Sequence, residues 1–302
     1  MDIAPKGRLS MSENILTRLS FDLAGFFDKI EHHWESHATV RRLGNALVFV
    51  FLLELLLIEG KRQGWLPEFL SPYIKSTNHF YAVNFAFTLL LVFEVVELVF
   101  SMAHSVAGSV GKQFEILSLI LLRSSFKEFT HFNQPIDWAE VGEPMRHILV
   151  DATGALIIFL ALGVYYRLLK HQKITKSEEE QVKFVAAKKI LALTMLLVYG
   201  VIGLVVAWNW ITTVHASPPF FQTFYTILIF ADFLMVFISL RYSGCYHVLF
   251  RNSGFALSTV VIRVALTAPP YFSAGLGICA MIFVLGITWA YNRYVPVAAT
   301  SC

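Results

Sequence analysis

The sequence predicts an all-α polytopic membrane protein of about eight transmembrane helices, six at the least, arranged as two parallel four-helix repeats. Three observations carry this. Of 302 residues, 56% are hydrophobic and only 15% charged, with 27 Phe, a composition suited to hydrocarbon rather than to water. Eight runs approach the roughly 20 apolar residues that a spanning helix needs: about 43–60, 80–103, 110–126, 147–169, 189–209, 220–240, 252–267 and 272–292. The third and seventh are short and weakly apolar, which sets the lower count. Finally, one pattern is used twice. TLLLVFEVVELVFS from Thr88 to Ser101 precedes SLILLR, which ends at Arg123; TILIFADFLMVFIS from Thr226 to Ser239 precedes STVVIR, which ends at Arg263. Each copy sets an acid six residues after a threonine and an arginine five after a serine, giving Glu94 with Arg123 and Asp232 with Arg263.

Residues 1–40 are polar and show no signal peptide. From Ser12 to Ile30, apolar Ile15, Leu16, Leu19, Phe26, Phe27 and Ile30 recur at helical spacing with Arg18, Asp22, Asp28 and Lys29 between them, which predicts an amphipathic helix on the membrane surface. It serves as an anchor or as a docking helix for a partner. The first membrane unit, 41–169, opens after Arg41 and Arg42, carries Glu54 in its first span and runs to Trp65. Its counterpart after Lys188 and Lys189 runs to Trp208 and Trp210, indoles at the depth where they favour the interface; Glu54 has no acidic partner there.

On the second helix Glu94, Glu97, Ser101 and His104 stand at i, i+3, i+7 and i+10, one stripe along one side. The third begins with Ala107 and Gly111, a small-xxx-small spacing that lets helices approach closely, with a turn through Gly108 as the alternative. It lacks arginine at every third position, so it is no voltage sensor of the usual kind. The outer loop from about 126 to 146 is longer than its counterpart at Ala268, Pro269 and Pro270, and holds Glu128, His131, Asp137, Glu140 and Glu143. It is either a cap or an addition made for a task. The fourth helix carries Glu143, His147 and Asp151 at i, i+4 and i+8, and its ALIIFLALG from Ala155 matches AMIFVLG from Ala280 apart from a gap. A charged linker, 170–188, separates the second unit, 189–302. There Met235 replaces Glu97, Tyr242 replaces His104 and no acid matches Asp151, so the chemistry is concentrated in the first half.

With an even number of spans per unit, the N-terminus, the linker and the tail share one face with most of the Lys and Arg. The other face holds only Lys61, Arg62, Lys75, Lys127 and Arg146. The positive-inside rule then puts both termini in the cytoplasm and makes the repeat parallel rather than inverted.

A charge at mid-bilayer costs about 2.5 to 3.5 kcal/mol even on permissive scales, so each such residue needs a partner, water or a task. Two readings remain open. Glu94, Glu97 and Asp151 line a path for an ion or protons with Arg123 as counter-charge, or Glu94–Arg123 and Asp232–Arg263 are structural pairs that fix how helices dock. Of the histidines, His147 with Asp151 has ligand spacing on one helix face. His104 and His147 lie at opposite membrane levels, roughly 30 Å apart, so they share no metal; His104 with His247, or His147 with His215, remain as weak candidates. No nucleophile elbow, phosphate-binding glycine loop or paired metal-ligand motif occurs. Neither an enzyme nor a cofactor is expected, and Cys245, Cys279 and Cys302 read as inert thiols.

FEVVELVF, followed by the basic-tipped SLILLR and an apolar fourth helix, resembles the phosphate-starvation-inducible PsiE family of small four-helix membrane proteins, over about 80–169 and more faintly over 220–293. The resemblance implies a tandem form of that unit, an inner-membrane location and a link to phosphate limitation, and it brings no mechanism. The expected function is an ion channel or transporter. The alternatives are a non-transporting interaction or sensory module and a haem-carrying redox subunit. The partners admitted are the bilayer, a small ion and a further copy of the chain, with no nucleic acid.

Overall fold

A computed structural model describes residues 11–67, 77–104, 106–132, 141–169, 178–212, 220–242 and 246–298. They form helices α1 (Met11–Trp34), α2 (His37–Arg62), α3 (Tyr81–Ser101), α4 (Val106–Lys127), α5 (Gly142–Leu168), α6 (Glu178–Thr212), α7 (Phe220–Tyr242), α8 (Tyr246–Thr267) and α9 (Phe272–Ala298), with a 3₁₀ turn at Glu128–His131 and no strand among the described residues. Seven of them, all but α1 and α4, are long and apolar enough to cross a membrane. The chain is a multi-pass membrane protein.

Local chemistry sets the helix ends. Ser36 accepts from the Thr39 amide at 3.3 Å and donates to the His33 carbonyl at 2.9 Å, which stops α1 and starts α2. Gly64, at φ +75°, closes α2 in the left-handed conformation that glycine alone adopts without strain. Before α3, Asn78 accepts from the Phe80 amide at 3.0 Å and donates to the Phe132 carbonyl at 3.0 Å, tying the start of α3 to the turn after α4.

Two structural differences from the sequence reading have simple causes. The second half of the 170–188 linker is helical and continuous with the fifth span: α6 begins at Glu178, and Phe184 and Ala186 are already buried. The N-terminal helix does not spend its apolar face on lipid alone. Phe27 is fully buried, 5.6 Å from the Phe100 ring, and Trp34 stacks on Phe93 at 4.2 Å, while Asp28 pairs with Lys189 of α6 at 2.6 Å. Asp137, Glu140, His215, Cys245 and Cys302 lie outside the described residues.

The core has two apolar clusters. One joins α1, α3, α6 and α7 around Val95, Val99, Ala192, Phe224 and Leu228. The other joins α4, α5, α8 and α9 around Phe114, Leu117, Ile158, Ile262 and Val284. Within the second, α4 packs on α8 and α5 on α9, so the third and fourth helices of the first expected unit meet those of the second. Interior position explains the weak hydropathy of the third and seventh runs. Half of the most apolar window of α8 is buried, against 6% for α2, and a helix surrounded by protein has no need of an apolar surface all round. Ala107 and Gly111 serve the close approach that their spacing predicts: a Cβ on Gly111 would lie 2.8 Å from the Tyr166 ring, and Tyr165 donates to the Ala107 carbonyl at 2.6 Å.

Candidate functional site

The charges of the duplicated pattern lie along the seam between the two clusters. Both acids come from the α3/α7 side, and both arginines from the α4/α8 side. Glu94, 5% exposed, is ion-paired through Oε1 with Arg123 Nη2, and Asp232, also 5% exposed, stands 3.6 Å through Oδ2 from Nε of the fully buried Arg263. Tyr225 of α7, itself buried, is close enough to Arg123 and Arg263 to interact electrostatically with both. The Tyr225 phenol thus lies within electrostatic reach of both ion pairs. Hydrogen bonding along the seam is incomplete: Glu94 Oε2, Asp232 Oδ2 and all three Arg263 nitrogens are buried without a hydrogen-bond partner.

A small cavity lies at each end of this seam. One, of about 180 Å³, is lined by Asn84, Thr88, Arg123, Ser124 and Lys127. The other, of about 40 Å³, is lined by Ser109, Gln113, Asp232 and Thr259 beside Met102 and Met235, and the Gln113 Oε1 there also lacks a hydrogen-bond partner. Leu91 borders the first and Met102 the second, roughly 16 Å apart at the α-helical rise, with Glu94 between them.

The remaining expected residues go elsewhere. Glu97 sits in a half-exposed group, with Lys112 Nζ 2.9 Å from its Oε1 and 3.2 Å from Glu115 Oε2, and Tyr166 donating to Glu115 at 2.7 Å. Asp151, 1% exposed, is hydrogen-bonded by Ser124, so it stands one side chain behind the larger cavity. His147 faces Glu128 at 3.4 Å and the Tyr271 ring at 4.8 Å. His104 Nε2 lies 3.0 Å from Glu31 Oε1, and His247 lies against Tyr291, 6.0 Å between centroids. Glu31, Glu35 and His104 offer ligand atoms within 4.8 Å of one another, the one such trio among the described residues. Lys188, buried and donating to the His104 carbonyl, sets a positive charge beside them and opposes a cation.

Sequence reasoning missed Tyr225, Gln113, Ser109 and Thr259. Tyr225 precedes Thr226 as Phe87 precedes Thr88, so a hydroxyl replacing a ring hydrogen in the second copy was its one signal. No protein-family model, curated protein or solved structure matches the chain.

The His104–Glu31 contact gives a pH prediction. The hydrogen bond that His104 donates to Glu31 raises the His104 pKa above its ordinary value of 6.5, with Glu35 adding to the rise while burial and Lys188 oppose it. A raised folded-state pKa stabilises fully below the unfolded value and loses that contribution as pH rises through the folded one. The docking of α1 will therefore loosen as pH is raised from about 6. Hydrogen exchange across residues 24–34 will speed up beyond its intrinsic pH dependence, and Glu31→Gln will abolish that excess.

Proposed function

We propose that the protein carries protons across its membrane along the seam between its two apolar clusters, with Glu94 and Asp232 as the exchanging groups and Arg123 and Arg263 as fixed counter-charges. The observation that carries this reading is the pair of buried carboxylate oxygens without a hydrogen-bond partner, Glu94 Oε2 and Asp232 Oδ2, beside two small cavities whose mostly apolar walls carry a few polar side chains. About 10–15 Å³ holds one water, so the cavity of about 40 Å³ admits a few waters and no hydrated metal ion. Proton exchange through carboxylates, a phenol and trapped water fits that size better than conduction of a hydrated ion. Glu97, on its half-exposed Lys112 group, stands outside the path, and Asp151 beside it through Ser124.

In the same reading the chain is two parallel four-helix units with α4 as an eighth span. Their interface is formed by α4 on α8 and α5 on α9, and both termini lie in the cytoplasm beside the basic face. One observation favours the second reading, a non-transporting module: every acid of the duplicated pattern already has an arginine. Proteoliposomes with an entrapped pH dye separate the two. An imposed pH step should collapse faster with protein than without it, while sodium, potassium and phosphate gradients at constant pH give no flux; no protein-dependent proton flux favours the module.

A further inference from the structure

The first turn of α8 and the last turns of α9 enclose a cleft of about 380 Å³, lined by Tyr246, His247, Phe250, Arg251 and Tyr291 among others, with no acidic residue among the described residues of its wall. Arg251 is 7% exposed. Its guanidinium lies 4.3 Å over the Tyr291 ring and 5.9 Å from that of Phe255, and among the described residues it donates a hydrogen bond to Asn252 Oδ1, at a long 3.4 Å. Nε is buried without a hydrogen-bond partner. Arg123 and Arg263 each have a carboxylate; among the described residues Arg251 has none. A buried cation without a counter-ion is several kcal/mol less stable than a paired one, and the open side of this one is the cleft.

The position of the cleft says which anion fits. Both flanking candidate spans end at its level, one beginning at Tyr246 and the other ending at Arg293. Tyr246, Phe250 and Trp289 are exposed there, with Arg293 5.7 Å over the Trp289 ring, the aromatic and cationic belt of a membrane interface. The wall therefore offers a guanidinium, an imidazole and the positive start of α8 at headgroup depth, and apolar helix faces at Leu257 and Ile282, both exposed, below it. The cleft belongs to the second half alone. Gly111 stands seven residues before Ser118 as Arg251 stands seven before Ser258, and the Tyr166 ring lies directly against Gly111.

We propose that this cleft binds an anionic phospholipid, its phosphate against Arg251 and His247 and its acyl chains along α8 and α9. The test compares the full chain in nanodiscs of phosphatidylcholine alone and with phosphatidylglycerol. Hydrogen exchange in the segments 246–251 and 287–293 should slow at least fivefold with phosphatidylglycerol. Native mass spectrometry from an equimolar mixture should show phosphatidylglycerol retained at least tenfold over phosphatidylcholine, falling to parity in Arg251→Gln. The exchange measurement uses the unaltered chain, so it decides the matter even where that variant does not fold. Equal exchange in the two lipids overturns the proposal. So does equal protection by millimolar inorganic phosphate in phosphatidylcholine discs, which would assign the site to the free anion.

Discussion

Replacing Arg263 by methionine will lower the stability of the folded protein by about 3–5 kcal/mol, because it leaves the Asp232 carboxylate buried without its counter-charge. Arg263 is fully buried and, among the described residues, its one ion pair is with Asp232, at 3.6 Å. The double variant Asp232→Asn/Arg263→Met removes both charges together and should recover a large part of the loss. Unfolding in mild detergent, followed by circular dichroism, gives the three values of the cycle. A double variant as unstable as the sum of the two singles would show that the residues do not act as a pair. The Glu94–Arg123 pair should behave alike but less severely, since the Arg123 side chain is 13% exposed and borders the larger cavity.

Gly154→Val will be the most damaging change among the apolar contacts between the halves. A Cβ at Gly154 would stand 2.7 Å from Ala274 Cβ and 3.4 Å from its Cα, so α5 and α9 must move apart. The obstacle is backbone and the stub of an alanine, with no flexible end to swing aside. Overpacking of this kind costs about 1–3 kcal/mol. Gly163, further along the same helix, has nothing within 4 Å of its Cβ position, and Gly163→Val should be neutral or slightly stabilising, since valine is the better helix former. Equal losses at the two sites, read as melting temperatures, would mean that the α5/α9 approach does not set the effect.

The all-helical membrane class was legible because hydrocarbon imposes apolar runs of fixed length. The repeat was legible because a buried acid and a buried arginine each stand out in such runs. Surroundings were not. Glu94 and Glu97 share one side of α3, yet at 100° per residue they point roughly 60° apart. That is enough for Glu94 to enter the seam and Glu97 to meet Lys112 at a half-exposed edge. The amphipathic pattern of α1 marked its apolar face without naming what covers it, and in the structure α3 shares in covering it. Tyr225 and Gln113 were invisible for a further reason: neither is charged, so neither stood out beside the acids and arginines of the repeat, although a buried phenol or amide also needs a hydrogen-bond partner. In the sequence Arg251 is one more basic residue near the start of an apolar run, whereas the structure buries it between aromatic rings.

The most direct test of the seam as a proton path compares proton flux in proteoliposomes for the native chain, Tyr225→Phe, Asp232→Asn and Glu97→Gln, each checked for native helix content. Tyr225 lies within electrostatic reach of both guanidiniums, and phenylalanine keeps its packing, so the loss of the hydroxyl reads on proton passage rather than on folding. The expected result is at least a tenfold fall in rate for Asp232→Asn, a smaller fall for Tyr225→Phe and the native rate for Glu97→Gln. Native flux in folded Asp232→Asn and Tyr225→Phe proteins would contradict the account and leave the paired charges as pins between helices.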